Sequence, residues 1–107
     1  MSQPSAARSR KSAKLTPAKA RLAADIREQL AAQGGSAHRE VVIGRILQGM
    51  GLRGPAAERA RRDLLSAFDL HVYPEPDSGV PRLFDLPFGP ESYRWALGEP
   101  MRASIRF

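Results

Sequence analysis

Glycine and proline divide this chain before any other feature acts on it. Three stretches with apolar residues at helical spacing are separated by Gly34-Gly35 and by the run from Gly51 to Gly54-Pro55, and Pro17 heads the first of them. Glycine enters the left-handed conformation that closes a helix without strain, and proline suits the first helical turn because its missing N–H has no partner there anyway. One long helix is therefore excluded, and the punctuation predicts three short ones. In the first, Thr16 is placed to cap, and Leu22, Ile26 and Leu30 form one stripe with Ala23 beside it. In the second, Ser36 is expected to cap a segment whose buried face is Val42, Ile43, Ile46, Leu47 and Met50, with Gly44 available for close approach of a neighbour.

The third helix is expected from Pro55 to about Phe68. At 100° per residue, Ala57, Ala60, Leu64 and Phe68 fall within about 40° of Leu64, while Arg59, Arg62 and Ser66 point the other way. Arg61 lies at the boundary, where its stem can pack and its head reach water. Beyond Phe68 the pattern changes to a period of two. Leu70 and Val72 alternate with His71 and Tyr73, "PDSG" offers a turn, and Leu83 to Leu86 returns, which together predict a β-hairpin. "PESYRWALG" then reads as a short C-terminal helix with Tyr93, Ala96 and Leu97 inward. Trp95 falls to its side, and residues 88–107, this helix with Tyr93 and Trp95 followed by a tail, are the candidate dimer surface.

No uninterrupted apolar run exceeds three residues, too short to span a bilayer, and no apolar stretch follows the basic N-terminus, so neither a membrane span nor a secretory signal is expected. The chain has no cysteine, which excludes disulfides, thiolate chemistry and cysteine-ligated zinc and suits a cytoplasmic setting. Two separate histidines give no metal-ligand spacing, and no cofactor is expected. The glycines of "GMGLRG" follow a helix rather than a strand and lack the lysine of a phosphate loop. With no nucleophile elbow and no paired carboxylates either, the chain reads as a non-enzyme.

The net charge of +6 is not evenly spread. Arg8, Arg10, Lys11, Lys14, Lys19 and Arg21 stand before the first acid, and beyond them 11 basic residues balance 11 acidic ones. Residues 1–14 are small, polar and basic, and are expected to form a disordered arm. The middle of the chain is again basic (Arg39, Arg45, Arg53, Arg59, Arg61, Arg62 against Glu40 and Glu58), whereas the last third leans acidic. A basic arm and a basic middle fit a polyanionic partner.

The order helix, helix, glycine-rich turn, helix, hairpin resembles the winged helix-turn-helix superfamily over residues 16–87, through "VVIGRILQGMGLRGPAAERARRDLLSAFDLHVYPEPDSGVPRLFDL". Its turn, "GMGLRGP", is longer than the tight form usual in that superfamily. The resemblance implies a mainly α winged-helix domain over residues 15–87, with a three-helix core and a small wing hairpin. It also implies duplex DNA as partner, the third helix in the major groove and the wing along the backbone. On this sequence those roles fall to Arg59, Arg62 and Ser66 on the exposed face, with Arg61 beside them and Arg53 in the turn, while Arg8, Arg10, Lys11 and Lys14 hold phosphates. A small bacterial or phage transcriptional regulator, or an accessory factor of replication or mobile elements, nucleoid-associated and pairing as a homodimer, is the expectation. The expected wing loop, "PEPDSG", carries Glu75 and Asp77, which phosphate repels, and Asp85 lies nearby. That acidic surface supports the rival expectation of a protein-interaction module, an adaptor or an inhibitor of a DNA- or RNA-processing machine.

Overall fold

The computed structural model describes residues 15–98, so the expected basic arm at 1–14 and the tail beyond Gly98 lie outside the described residues. The described residues form three helices and a small three-stranded antiparallel sheet joined by loops. Helix α1 spans Pro17–Ala32. The Thr16 hydroxyl accepts the Lys19 N–H at 3.1 Å, Pro17 leads, and Ala23, Ile26 and Leu30 are buried. The helix closes as the glycine pair predicts: Gly34 and Gly35 have φ of 88° and 106°, and the Gly35 N–H returns to the Leu30 carbonyl at 2.7 Å.

Ser36 does not cap the second helix. Ser36–His38 is extended as strand β1, and helix α2, Arg39–Met50, is capped by His38, whose Nδ1 accepts the Glu40 N–H at 3.1 Å. The double glycine lets the chain turn directly into a strand that finds its partner far along the sequence. Val42, Ile43 and Ile46 are buried as the spacing predicts and Leu47 packs against them, but Met50, in the last turn, is 41% exposed. A Cβ on Gly44 would meet nothing within 4 Å, so this glycine serves no close approach. Gly51, with φ of 69°, ends α2.

Helix α3 runs from Gly54 to Val72, one turn beyond the expected end. Leu64, Ala67, Phe68, His71 and Val72 are buried at steps of three and four, so the apparent alternation of Leu70 and Val72 is a by-product of a helical stripe. The helix stops at Tyr73, before Pro74, which disfavours helical backbone in the residue preceding it. Consequently the expected hairpin around "PDSG" does not exist. Residues 74–83 form an irregular connection, and the Leu83 N–H bonds back to the His71 carbonyl at 2.9 Å.

The hairpin lies further on. Strand β2, Phe84–Asp85, pairs antiparallel with β3, Arg94–Leu97, across the loop 86–93. The expected C-terminal helix is thus a strand, and it is the central one, since the sheet order is β1-β3-β2 with Ser36 opposite Ala96 and His38 opposite Arg94. Trp95, Ala96 and Leu97 are buried in succession, which requires cover on both faces of the strand. Trp95, at 2% exposure, is therefore core and offers no subunit contact, whereas Tyr93 is exposed.

The Phe68 ring stacks on Trp95, with ring centroids 3.9 Å apart and planes at 6°, and on Phe84 at 5.0 Å and 13°. This ties α3 to both strands of the hairpin. Phe68→Ala should destabilise the fold by about 3–5 kcal/mol, as for a large aromatic removed from a packed core. Phe88→Ala, at a 73% exposed loop position, should stay within about 0.5 kcal/mol. Urea unfolding followed through Trp95, the single tryptophan, measures both.

Candidate functional site

The segment from α2 to α3 carries six arginines, Arg39, Arg45, Arg53, Arg59, Arg61 and Arg62, and Arg94 stands on β3 beside β1. They fall into two groups. Arg39, Arg61 and Arg94 are held by the chain itself. Arg94 donates Nη2 to the Ser36 hydroxyl at 3.1 Å. Arg61 makes a bidentate pair with Glu40, Nη1 to Oε1 and Nη2 to Oε2, both at 2.7 Å, and Arg39 Nε lies 3.4 Å from Oε2.

Arg45, Arg53, Arg59 and Arg62 form the other group. All four are exposed, and none of their side chains has a hydrogen bond or ion pair among the described residues. Their positions follow from local packing. Burial of Leu64, Ala67 and Phe68 turns Arg59 and Arg62 outward on α3, and Arg53 is the N-cap residue of that helix without a side-chain cap bond. Burial of Val42, Ile43 and Ile46 likewise turns Arg45 outward on α2. Arg45 was absent from the residues expected to bind, although the same partition of the helix surface identifies it. Glu58 and Asp63, the carboxylates flanking Arg59 and Arg62 in sequence, form no ion pair with them among the described residues. Ser66 is half-buried on α3. Arg8, Arg10, Lys11 and Lys14 fall outside the described residues.

Arg61 differs from its neighbours because Glu40 holds it. The Arg61 hydrogen bonds, opposed by partial desolvation and aided by Arg39, bring the Glu40 carboxyl down to about 2, and the same pairing raises the Arg61 guanidinium. Arg39 also lies over the Tyr93 ring, 4.2 Å from its centroid, and its backbone N–H donates to the Tyr93 carbonyl at 2.7 Å. Nearby, burial pushes the Asp69 carboxyl up, with Arg39 opposing. These contacts connect the end of the hairpin loop, the start of α2 and the middle of α3.

The acidic residues Glu75, Asp77 and Glu91 are divided between the α3–β2 connection and the hairpin loop. Glu75 and Asp77 are exposed in the α3–β2 connection, where Ser78 bridges the Glu75 carbonyl and the Val80 N–H. The hairpin loop itself is "LPFGPESY", with Glu91 its charged residue and Phe88 standing out from it. Arg82 and Asp85 pair at 2.7 Å. Both histidines have structural duties: His38 caps α2, and buried His71 has Nδ1 2.9 Å from the Pro81 carbonyl while its Nε2 has no partner. No helix among the described residues is long and apolar enough to cross a membrane. No protein-family model, curated protein or solved structure matches this chain.

Because the folded Glu40 carboxyl lies below its unfolded value of 4.5, its contribution is full above pH 4.5 and disappears as pH falls toward 2. Its side chain is 47% exposed, so solvent screens the pair and the coupling should be about 0.2–1 kcal/mol. A double-mutant cycle with Glu40→Gln and Arg61→Ala, read by urea unfolding near neutrality and again near pH 2, should give that coupling in the first case and a clearly smaller one in the second.

Proposed function

We propose that this chain is a winged-helix DNA-binding protein, with α3 entering the major groove and the β2–β3 hairpin as its wing. The element order α1-β1-α2-α3-β2-β3 and the strand order β1-β3-β2 support the reading, since both are those of a winged helix. The observation that carries it is the condition of Arg59 and Arg62: exposed, outward on α3, and unpaired with Glu58, Asp63 or any other described residue. A guanidinium in that state presents a planar fork that fits guanine O6 and N7 or bridges phosphate oxygens. Arg53 at the head of α3 and Arg45 on α2 extend the cationic surface, Ser66 adds a hydroxyl, and the arm residues Arg8, Arg10, Lys11 and Lys14 add phosphate attraction independent of sequence. A regulator of transcription, or an accessory factor of replication or mobile elements in a bacterium or phage, is the role such a protein fills.

The second reading, a protein-interaction module, is favoured by one observation: the hairpin loop presents Phe88 and Glu91 rather than basic residues, and Glu75 and Asp77 are exposed in the connection before it. Salt titration of affinity for random duplex separates the two. DNA contact through α3 gives a linear fall of log K with log salt, and Arg59→Ala and Arg62→Ala should each reduce the slope by about 0.9 if each arginine holds one phosphate. Slopes unchanged by both substitutions, or binding that depends only on residues 1–14, would leave α3 as scaffold and favour the protein partner.

A further inference from the structure

Two guanidinium groups converge on one carboxylate at the protein surface. Arg61 grips Glu40 through both Nη atoms at 2.7 Å, and Arg39 Nε approaches the same Oε2 at 3.4 Å. Their side chains are 29% and 28% exposed, against 47% for Glu40, so the anion is the most accessible member of the group. Arg39 has a second anchor, since its guanidinium rests on the Tyr93 ring, while Arg61 extends from the middle turns of α3 and meets Glu40 through both Nη atoms. The chain has thus built a fork-shaped receptor for an oxyanion and filled it with its own side chain.

We propose that Arg39 and Arg61 form a phosphate site whose resting occupant is the Glu40 carboxylate, displaced by a backbone phosphate when the protein engages duplex DNA. The inference rests on the DNA-binding reading and adds to it a contact that only the complex reveals. Guanidinium forks accept carboxylate and phosphate in the same bidentate geometry. An exposed pair of this kind contributes only about 0.2–1 kcal/mol, so a phosphate delivered by a polyanion already held at Arg59 and Arg62 is able to replace the carboxylate. Glu40 lies in the first turn of α2, where positive helix potential favours whichever anion is present. The other carboxylates that act on the two arginines are Asp69, through Arg39, and Glu58, through Arg61, and both oppose the incoming phosphate. In the free protein Glu40 masks two cations, so an isolated anion gains little there, while a duplex in the right register opens the site.

Glu40→Gln keeps the side-chain shape and removes the competing charge. In the full chain at constant ionic strength, inorganic phosphate should raise the Tm of Glu40→Gln more than that of the parent protein, and Arg61→Ala added to it should abolish the difference. On random-sequence duplex at fixed salt, Glu40→Gln should bind more tightly than the parent protein, because the phosphate no longer competes with the carboxylate, whereas Arg61→Ala should reduce the slope of log K against log salt by about 0.9 if Arg61 holds one phosphate. Glu28→Gln, the same charge change on exposed α1 surface, should give a clearly smaller gain in affinity. Equal gains in Glu28→Gln and Glu40→Gln, or no phosphate-dependent gain in Glu40→Gln, overturn the proposal. If Glu40→Gln fails to fold, Glu40→Asp, with a shorter reach to Arg61, should show a smaller gain of the same sign, and its absence overturns the proposal equally. Duplex binding that depends on Arg59 and Arg62 but is insensitive to Glu40 removes this site alone. A phosphate-dependent gain without duplex binding by any variant removes DNA as the ligand and the broader reading with it.

Discussion

The stacking of Phe68 on Trp95 and Phe84 is the contact on which the rest of the architecture depends. Each of the three rings comes from a different element, α3, β3 and β2, and all three are almost fully buried. A two-residue strand such as β2 has too few ladder bonds to hold itself in place. Aromatic overlap supplies what the ladder does not, and it fixes the hairpin relative to α3. The outward face of α3 is a consequence. Once Leu64, Ala67, Phe68, His71 and Val72 are committed to the core, Arg59 and Arg62 have nowhere to point except into solvent.

Polar contacts then act where the core does not reach. Arg39 against Tyr93 and Glu40 against Arg61 connect hairpin loop, α2 and α3 along the surface. Their individual energies are small, but their geometry defines which arginines are engaged and which are free. That division, rather than the overall charge, distinguishes the candidate interface from a generally basic surface. Among the described residues, ten carboxylates nearly offset eleven cations, so a partner meets local cationic groups and not a uniform field.

Much of the helical framework was legible because its signals are local. Thr16-Pro17, Gly34-Gly35 and Gly51 mark ends whose chemistry is complete within a few residues, and the stripe of Leu22, Ile26 and Leu30 needs no distant partner to be recognised. The outward placement of Arg59 and Arg62 followed from the same periodicity. What escaped was non-local. β3 is covered on both faces and therefore lacks the alternation that identifies a half-buried strand, while Pro90 and Gly98 imitate helix boundaries around it. Ser36 resembles a helix cap until Ala96 pairs with it. The bidentate partner of Arg61 lies 21 positions earlier, on another helix, and no spacing rule connects the two. At the end of α3, two positions of accidental alternation outweighed a continuing helical stripe, which moved the expected hairpin away from its real place.

The position of β3 in both space and sequence has a consequence for how the chain is made. Among the described strands the middle one of the sheet is the last to be synthesised, and the Arg94 side chain meets Ser36, 58 positions earlier in the sequence. Until Arg94–Leu97 leaves the ribosome, β1 has no ladder partner and Phe68 lacks the indole that covers it. The nascent chain can wind its helices early, yet its sheet must assemble in a single late step, with an unpaired strand and an uncovered aromatic exposed to other chains throughout the wait.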